Sequence, residues 1–223
     1  MATLVVLGLL VANDLTDAVD AALIGVVRSE MTQVVLSPLR WVTEAGSTWA
    51  VTLVAAGLIV GMTLVGRLML GALAAFFVSA ASLGNTLLKQ LVARTRPEAL
   101  EPIIEERGFS FPSGHAALGM VAWGIVAVVV VRSPLPISTK RWLLAGLVVL
   151  VFLIGLSRVY LGVHYPSDVV AGWAAGAAVV LVFATVTRSR WRPGVSPGES
   201  RAPVEGVAAA DRATPRSDPP GSG

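Results

Sequence analysis

The chain has no cysteine and only two histidines among its 223 residues. The missing cysteines exclude disulfide bonds, thiolate metal sites and cysteine nucleophiles. Charged residues are also scarce, at 14% of the sequence, against about a quarter in an ordinary soluble domain. Hydrophobic residues reach 55%, and the mean hydropathy is +0.76. These values exclude a typical soluble protein and predict a multi-pass membrane protein.

The net charge of +3 and the pI near 9.9 do not by themselves indicate nucleic-acid binding. A nucleic-acid-binding surface would show a basic stripe interleaved with aromatic residues. Here the arginines fall in short loops and in the C-terminal tail. Membrane topology explains this distribution better, so we expect the bilayer as a partner and no nucleic acid.

Five apolar stretches resemble transmembrane helices, which need roughly 18 to 25 residues, although two of the five are short. They are Thr48–Val65, Leu68–Leu88, Ala116–Val131, Trp142–Leu156 and Val169–Val186. The predicted fold class is therefore all-α, a multi-pass transmembrane helix bundle with five clear spans. The apolar segment Met1–Ala12 is too short to span a membrane by itself. A truncated or tilted sixth span at this end is as well supported as no span.

Three parts follow from this pattern. Residues 1–47 hold the short apolar segment and then a stretch, Leu15–Leu36, with apolar residues at helical spacing among charges. An interfacial amphipathic helix and an ordinary packed connector both fit that stretch. Residues 48–187 form the transmembrane core. Residues 188–223 turn to Pro, Gly, Ser and Ala, a composition that predicts a disordered tail.

The basic residues of the short loops predict the orientation in the membrane. If the spans alternate, one side carries a set of basic residues and should be cytoplasmic. This set is Arg67, Arg132, Lys140, Arg141, Arg188, Arg190 and Arg192. The tail would lie on the same side. The opposite, extracytoplasmic side carries the polar residues that could bind a ligand or take part in catalysis.

The first of three polar blocks is Lys89 with Arg96-Pro97. Lys89 and Arg96 are seven residues apart and would share a helical face if the helix continued to Pro97. Cations at a membrane edge are costly without an anionic partner, and a guanidinium matches phosphate oxygens. The alternative is that such residues only reach for lipid headgroups. We assign Arg94 to that alternative.

The second block is Pro112-Ser113-Gly114-His115. Pro and Ser are typical of a helix start, and Gly114 lets the backbone approach a ligand. The free N–H groups of a helix N-terminus bind anions, and His115 beside them could donate a proton to a departing alkoxide. Taken alone, the same four residues also fit a capped turn with a packed histidine.

The third block is Ser157-Arg158, followed by His164 and Asp168. If a helix begins near Pro166, the Asp168 carboxylate can reach one imidazole nitrogen of His164 and leave the other nucleophilic. Metal binding is the rival interpretation. It is disfavoured because two histidines and no cysteine leave no suitably spaced third ligand. We expect no metal.

Together the blocks resemble the three signature motifs of the type 2 phosphatidic acid phosphatase (PAP2) family, which also includes vanadium haloperoxidases and lipid phosphate phosphatases. The matching motifs are Lys89-x6-Arg96-Pro97, Pro112-Ser113-Gly114-His115 and Ser157-Arg158-x5-His164-x3-Asp168. The resemblance covers about Thr48–Val186. The family's membrane members commonly have six spans, and here the first is short or missing.

The resemblance implies an integral membrane phosphatase that needs no metal or other cofactor. It implies that His164 attacks phosphorus to form a phosphohistidine, that Asp168 orients it, and that His115 protonates the leaving alcohol. The phosphoryl oxygens would be held by Lys89, Arg96, Ser113, Gly114 and Arg158.

The implied substrate is a phosphorylated membrane lipid, of the polyprenyl diphosphate, phosphatidic acid or phosphatidylglycerophosphate class. Vanadate-dependent haloperoxidation is disfavoured because those relatives are soluble. A phosphate-lipid transporter or flippase without hydrolysis remains the alternative from another class. It would need the cations but not an oriented nucleophile, and it would usually show two related halves.

Overall fold

The computed structural model describes residues 6, 8–11, 13–29, 33–97, 104 and 106–191. Every regular element within these ranges is helical. The helices are α1 (Asp17–Ser29), α2 (Gln33–Glu44), α3 (Thr48–Leu64), α4 (Leu68–Val92), α5 (Gly114–Arg132), α6 (Ile137–Tyr160) and α7 (Pro166–Val186), followed by a 3₁₀ turn at Ser189–Trp191. The all-α prediction is confirmed.

Four of the described helices, α4 to α7, are long and apolar enough to cross a membrane. The predicted first span, α3, reaches this standard only together with the end of α2. The two helical segments, Ser37–Glu44 and Thr48–Leu64, are bent by 49° at their junction. The structure therefore agrees with up to five spans. The suggested sixth span, Met1–Ala12, lies mostly outside the described residues, as does most of the tail predicted for residues 188–223.

The transmembrane helices pack around an apolar cluster contributed mainly by α3, α4 and α5, with Phe183 from α7. Its most buried members are Val121, Ala122, Ile125 and Phe183. Many large apolar side chains point away from this cluster, including Leu64, Leu91 and Trp142, each about four-fifths exposed. This distribution is expected of helices whose outer faces contact lipid instead of water.

Helices α5 and α7 approach each other closely through small residues, as membrane helices commonly do. A Cβ atom added to Gly172 would lie 2.7 Å from the Ser113 carbonyl oxygen, and one added to Gly176 would lie 2.7 Å from the Ala117 carbonyl oxygen. Gly172 therefore lets α7 rest directly on the start of α5. This contact fixes the second and third polar blocks relative to each other.

The stretch Leu15–Leu36 contains α1 and the start of α2, with residues 30–32 outside the description. Asp20 and Ile24 form the buried side of α1, whereas Val19, Leu23 and Val26 are exposed. The apolar residues at helical spacing thus face away from the rest of the described protein, and an acidic residue faces inward.

Candidate active site

Helix α4 brings Lys89 to the site but ends before Arg96. Ala93 adopts a left-handed conformation (φ 50°) and stops the helix after Val92. The helix does not continue to Pro97, so the condition under which Lys89 and Arg96 would share one helical face is not met. Lys89 instead turns toward the segment before α5, where its Nζ donates hydrogen bonds to the carbonyl oxygens of Phe109 (2.6 Å) and Ser110 (3.4 Å).

Arg96 lies in the extended segment after α4 and is held by backbone carbonyl groups. Its Nε donates to Gly108 O at 2.9 Å and its Nη1 to Val163 O at 2.7 Å. Nη1 also lies 3.5 Å from His164 Nε2. The guanidinium therefore stands directly beside the imidazole of the third block, as expected of a phosphate-binding cation.

The second block forms the N-terminus of α5. The helix begins at Gly114 with Ser113 in the capping position, but the Ser113 hydroxyl makes no capping hydrogen bond. Ser113 is fully buried, and its Oγ has no hydrogen-bond partner among the described residues. A buried hydroxyl without a partner is costly, so this oxygen is free to donate to a ligand. A Cβ atom at Gly114 would lie 3.3 Å from the Asn85 amide nitrogen, so the Asn85 side chain packs closely against this glycine. The approach of a ligand to Gly114 stays a prediction.

His115 is the second residue of α5 and is partly buried. Burial alone would raise the pKa of the Glu106 carboxyl, but the nearby basic residues Arg158, His164 and Arg96 lower it below its usual value. His115 is also close enough to Glu106 to contribute to this lowering. This proximity places His115 at the same site as the first and third blocks.

Arg158 reaches the site from the last turn of α6 and is only 2% exposed. Its Nη1 donates to Thr43 Oγ1 at 3.0 Å, and its Nη2 forms an ion pair with Glu106. Its Nε has no hydrogen-bond partner within the described part of the chain. A buried guanidinium with an unused donor is suited to receive another anion.

His164 and Asp168 form the predicted pair at the start of α7. The helix begins at Pro166, and Asp168 Oδ2 lies 3.3 Å from His164 Nδ1 while accepting the Tyr165 N–H at 3.0 Å. Because a carboxylate only accepts, the imidazole proton belongs on Nδ1, and Nε2 keeps its lone pair. Burial holds the pKa of His164 below its usual value, although Asp168 opposes the shift. Nε2 is therefore a neutral nitrogen that faces Arg96.

Glu106 lies at the candidate site although the sequence motifs do not mark it. Its carboxylate contacts Arg158 and lies 3.5 Å from Arg96 Nη1. Lys89 and His164 are also within its electrostatic reach. The carboxylate thus lies within a cation cluster formed by Lys89, Arg96 and Arg158. The sequence shows several glutamates before the second block but gives no sign of which one turns inward.

The assignment of Arg94 to lipid headgroups is also wrong. Its guanidinium is about nine-tenths buried and donates to Asp168 Oδ1 (2.9 Å), Ser167 Oγ (2.8 Å) and Asp20 Oδ2 (2.9 Å). Together Asp168 and Asp20 raise the pKa of Arg94 in spite of its burial. Arg94 was missed because its sequence context, a basic residue after an apolar helix, is the same as that of a residue at a lipid surface.

The structure thus brings together all eight sequence-predicted site residues at one end of the helix bundle. They are Lys89, Arg96, Ser113, Gly114, His115, Arg158, His164 and Asp168. Within the described ranges, no three carboxylate or imidazole groups are arranged to hold a metal ion.

This arrangement defines a class of protein: a helical membrane protein with an oriented histidine facing an anion site made of cations and a helix N-terminus. The family model described as PAP2 superfamily matches residues 67–192, which is more than half of the chain. The protein belongs to the PAP2 superfamily.

Curated relatives agree with this assignment. Phosphatidylglycerophosphatase B of Bacillus subtilis is 38% identical over 41% of this chain and 45% of its own length. Undecaprenyl-diphosphatase of Sulfolobus acidocaldarius is 34% identical over 45% of this chain and 47% of its own. Decaprenylphosphoryl-5-phosphoribose phosphatase of Mycobacterium tuberculosis is 39% identical over 48% and 55%. The chain spans about half the length of the curated relatives it matches.

The fold is also similar to a solved structure, a transmembrane PAP2-type phosphatidylglycerolphosphate phosphatase from Bacillus subtilis. The TM-score is 0.72 at 24% identity, and the match covers 85% of this chain and 98% of that chain. At this level of identity the likeness supports the fold.

Proposed function

We propose that the protein is a membrane phosphatase that hydrolyses terminal phosphate groups of lipids through a phosphohistidine intermediate. One observation carries the proposal: His164 is held by Asp168 through Nδ1 and presents Nε2 toward Arg96. A site that only bound phosphate would need the cations but not this oriented nitrogen. The geometry therefore favours hydrolysis over transport.

The reaction would proceed in two displacements. His164 Nε2 attacks phosphorus, the bond between phosphorus and the ester oxygen breaks, and His115 donates a proton to the departing oxygen. Water then attacks the phosphohistidine, with His115 accepting its proton, and releases orthophosphate and neutral His164. Phosphoryl transfer depends mainly on positioning and on stabilising charge on the equatorial oxygens.

Lys89, Arg96 and Arg158 would supply that stabilisation, together with the Ser113 hydroxyl and the Gly114 amide. Because Glu106 contacts the two arginines, an entering phosphoryl group would have to displace it. The unused Ser113 Oγ and Arg158 Nε are the donors that would gain a partner when this happens.

A lipid substrate is supported by an apolar groove of about 350 Å³ between α4, α5 and α7. The groove is lined by Asn85 of α4. The Asn85 side chain packs against Gly114, the first residue of α5. A hydrocarbon chain in this groove would place its headgroup at the cation cluster. The named activities of the relatives, on phosphatidylglycerophosphate and polyprenyl phosphates, are of the same class.

We propose that the active site faces the extracytoplasmic side and that the tail is cytoplasmic. The indole of Trp191 stacks with Arg67 (5.4 Å) and with Arg132 (5.3 Å), which gathers basic residues of two loops at the end opposite the site. This concentration follows the positive-inside rule. The exposed apolar side of α1 would lie in the membrane interface.

The test is phosphate release by the detergent-purified protein, with EDTA present, from undecaprenyl diphosphate, phosphatidic acid and phosphatidylglycerophosphate. Release by the wild type should vanish in His164→Ala, while binding of the lipids is largely kept. Turnover by His164→Ala near the wild-type rate would overturn the assigned nucleophile. No release from any of the three by folded wild-type protein would favour a phosphate-lipid binder or transporter.

A further inference from the structure

Behind Asp168 lies a closed network that the motifs do not include. Asp168 uses one carboxylate oxygen, Oδ2, for His164 and the Tyr165 N–H, and the other, Oδ1, for Arg94. Arg94 in turn bridges to Asp20 of α1. The orienting carboxylate is therefore itself held, and by a residue at an unspecified position of the first motif, between Lys89 and Arg96.

The network is built from buried partners on three parts of the chain. Asp20, only 2% exposed, accepts hydrogen bonds from Ser167 N (2.9 Å) and Ser167 Oγ (2.6 Å) as well as from Arg94. The Arg94 guanidinium also lies over the Tyr165 ring at 3.8 Å, so it is fixed from above and from its edges. The guanidinium joins the two carboxylates through separate nitrogens, Nη1 to Asp168 and Nη2 to Asp20. A lysine at this position would keep the positive charge but not the planar fork.

We propose that Arg94 and Asp20 are positioning residues for catalysis: through Asp168 they set the orientation and the proton affinity of the nucleophile His164. The inference rests on the proposed phosphatase function. Neither residue touches the phosphoryl site, so both act through Asp168. The N-terminal helix α1 is then part of the catalytic apparatus and not only a connector.

The charges around His164 determine the direction in which its pKa should shift in each variant. His164 is surrounded by Asp168 of α7, Arg96 after α4, Arg158 of α6 and Glu106 before α5, with Lys89 and His115 nearby. Behind Asp168 stand Arg94, Asp17 and Asp20. Removing the positive charge of Arg94 should favour the imidazolium form, and removing the negative charge of Asp20 should disfavour it. A merely structural pair would not shift the titration of His164 in opposite directions.

The test uses the fact that the chain has only two histidines. In ¹⁵N-histidine-labelled protein in detergent, His164 can be identified by the loss of its signal in His164→Ala and its titration followed by NMR. We expect Arg94→Gln to raise the His164 titration midpoint, Asp20→Asn to lower it, and Arg94→Lys to restore it toward wild type. Arg107→Gln, which removes the same charge from an exposed side chain, should leave it unchanged.

Activity provides the second readout. Arg94→Gln should lower kcat about 10- to 100-fold, as expected of a misplaced nucleophile, with little change in KM, and the acid limb of the pH profile should follow the NMR midpoint. Midpoints that stay at the wild-type value, or move in the same direction in Arg94→Gln and Asp20→Asn, would overturn the inference. If Arg94→Gln does not fold, the His164 titration midpoint in Asp20→Asn decides: a lower midpoint supports the inference, and an unchanged or higher one overturns it. Absence of turnover in the wild type would refute the phosphatase proposal, while the titration shifts would still test the network.

Discussion

Glu106 offers the most direct test of how the cation cluster works. Its carboxylate lies beside Arg158 and Arg96, where the proposed function would place a phosphoryl group. Glu106→Gln keeps the shape of the side chain and a hydrogen bond from Arg158 but removes the competing charge. We expect orthophosphate, the reaction product, to bind the variant more tightly than the wild type.

The size of the effect follows from the contacts that are exchanged. Hydrogen bonds to charged groups contribute about 1.5–3 kcal/mol. The amide of Glu106→Gln still faces the charged Arg158 and should lie near the lower end of this range, whereas the carboxylate of Glu106 should lie near the upper end. Only the contact with Arg158 counts fully, because 3.5 Å to Arg96 is too long for a good hydrogen bond. The competing anion is therefore weakened by about 1–1.5 kcal/mol, which corresponds to roughly tenfold tighter phosphate binding.

The assay is competitive inhibition of lipid phosphate hydrolysis by orthophosphate at constant ionic strength. The inhibition constant should fall about tenfold in Glu106→Gln, from the estimate above, and stay unchanged in Asp14→Asn, which removes one negative charge from an exposed position. An inhibition constant that rises in Glu106→Gln would refute this reasoning. It would show that Glu106 holds the arginines in their binding positions and does not compete with phosphate.

Three further outcomes are expected. His115→Ala should lower kcat about 10²- to 10⁴-fold with a lipid leaving group but far less with nitrophenyl phosphate, whose departing oxygen hardly needs a proton; equal losses would contradict the acid role. Because burial lowers the pKa of His164 below the ordinary value of 6.5, the acid limb of the pH profile of kcat/KM should have its midpoint below pH 6.5. The profile should be measured with esters whose phosphates differ in acidity, so that titration of the substrate is told apart from titration of the enzyme. A midpoint above pH 6.5 that is the same for all esters would contradict this shift. Gly172→Ala should reduce both activity and thermal stability because its Cβ would meet the Ser113 carbonyl oxygen at 2.7 Å, whereas Gly57→Ala has open space and should behave as wild type. Equal effects of the two glycine substitutions, measured by thermal unfolding and turnover, would show that this close packing is not needed.

The sequence predicts the transmembrane core well because long apolar runs have few alternatives in a chain with so little charge. The helix ends are less predictable where polar residues are buried. The apolar pattern predicts a span over Trp142–Leu156, whereas α6 covers Ile137–Tyr160. Arg158 can lie inside the last turn because Thr43 and Glu106 accept hydrogen bonds from its two Nη atoms, and neither partner is near it in sequence.

The end of α4 shows a second limit. No glycine or asparagine marks position 93, yet Ala93 takes the left-handed conformation and ends the helix before Arg96. Lys89 still reaches the same site, because the chain returns through Phe109 and Ser110, whose carbonyl oxygens receive its ammonium group. Spacing along the sequence selected cations that lie at one site but did not predict the path of the chain that brings them together.

Charge balance gives Glu106, which lies outside the motifs, a role under the proposed function. Three cations meet at the phosphoryl site, and Glu106 neutralises only part of their charge. Under the proposed function, a terminal phosphate with a charge near −1.5 to −2 at neutral pH would replace one carboxylate charge with more negative charge and more acceptor oxygens. A phosphodiester, with one charge, would gain no such advantage over Glu106. The internal carboxylate would thus favour terminal phosphates over the far more abundant diester lipids of the surrounding membrane.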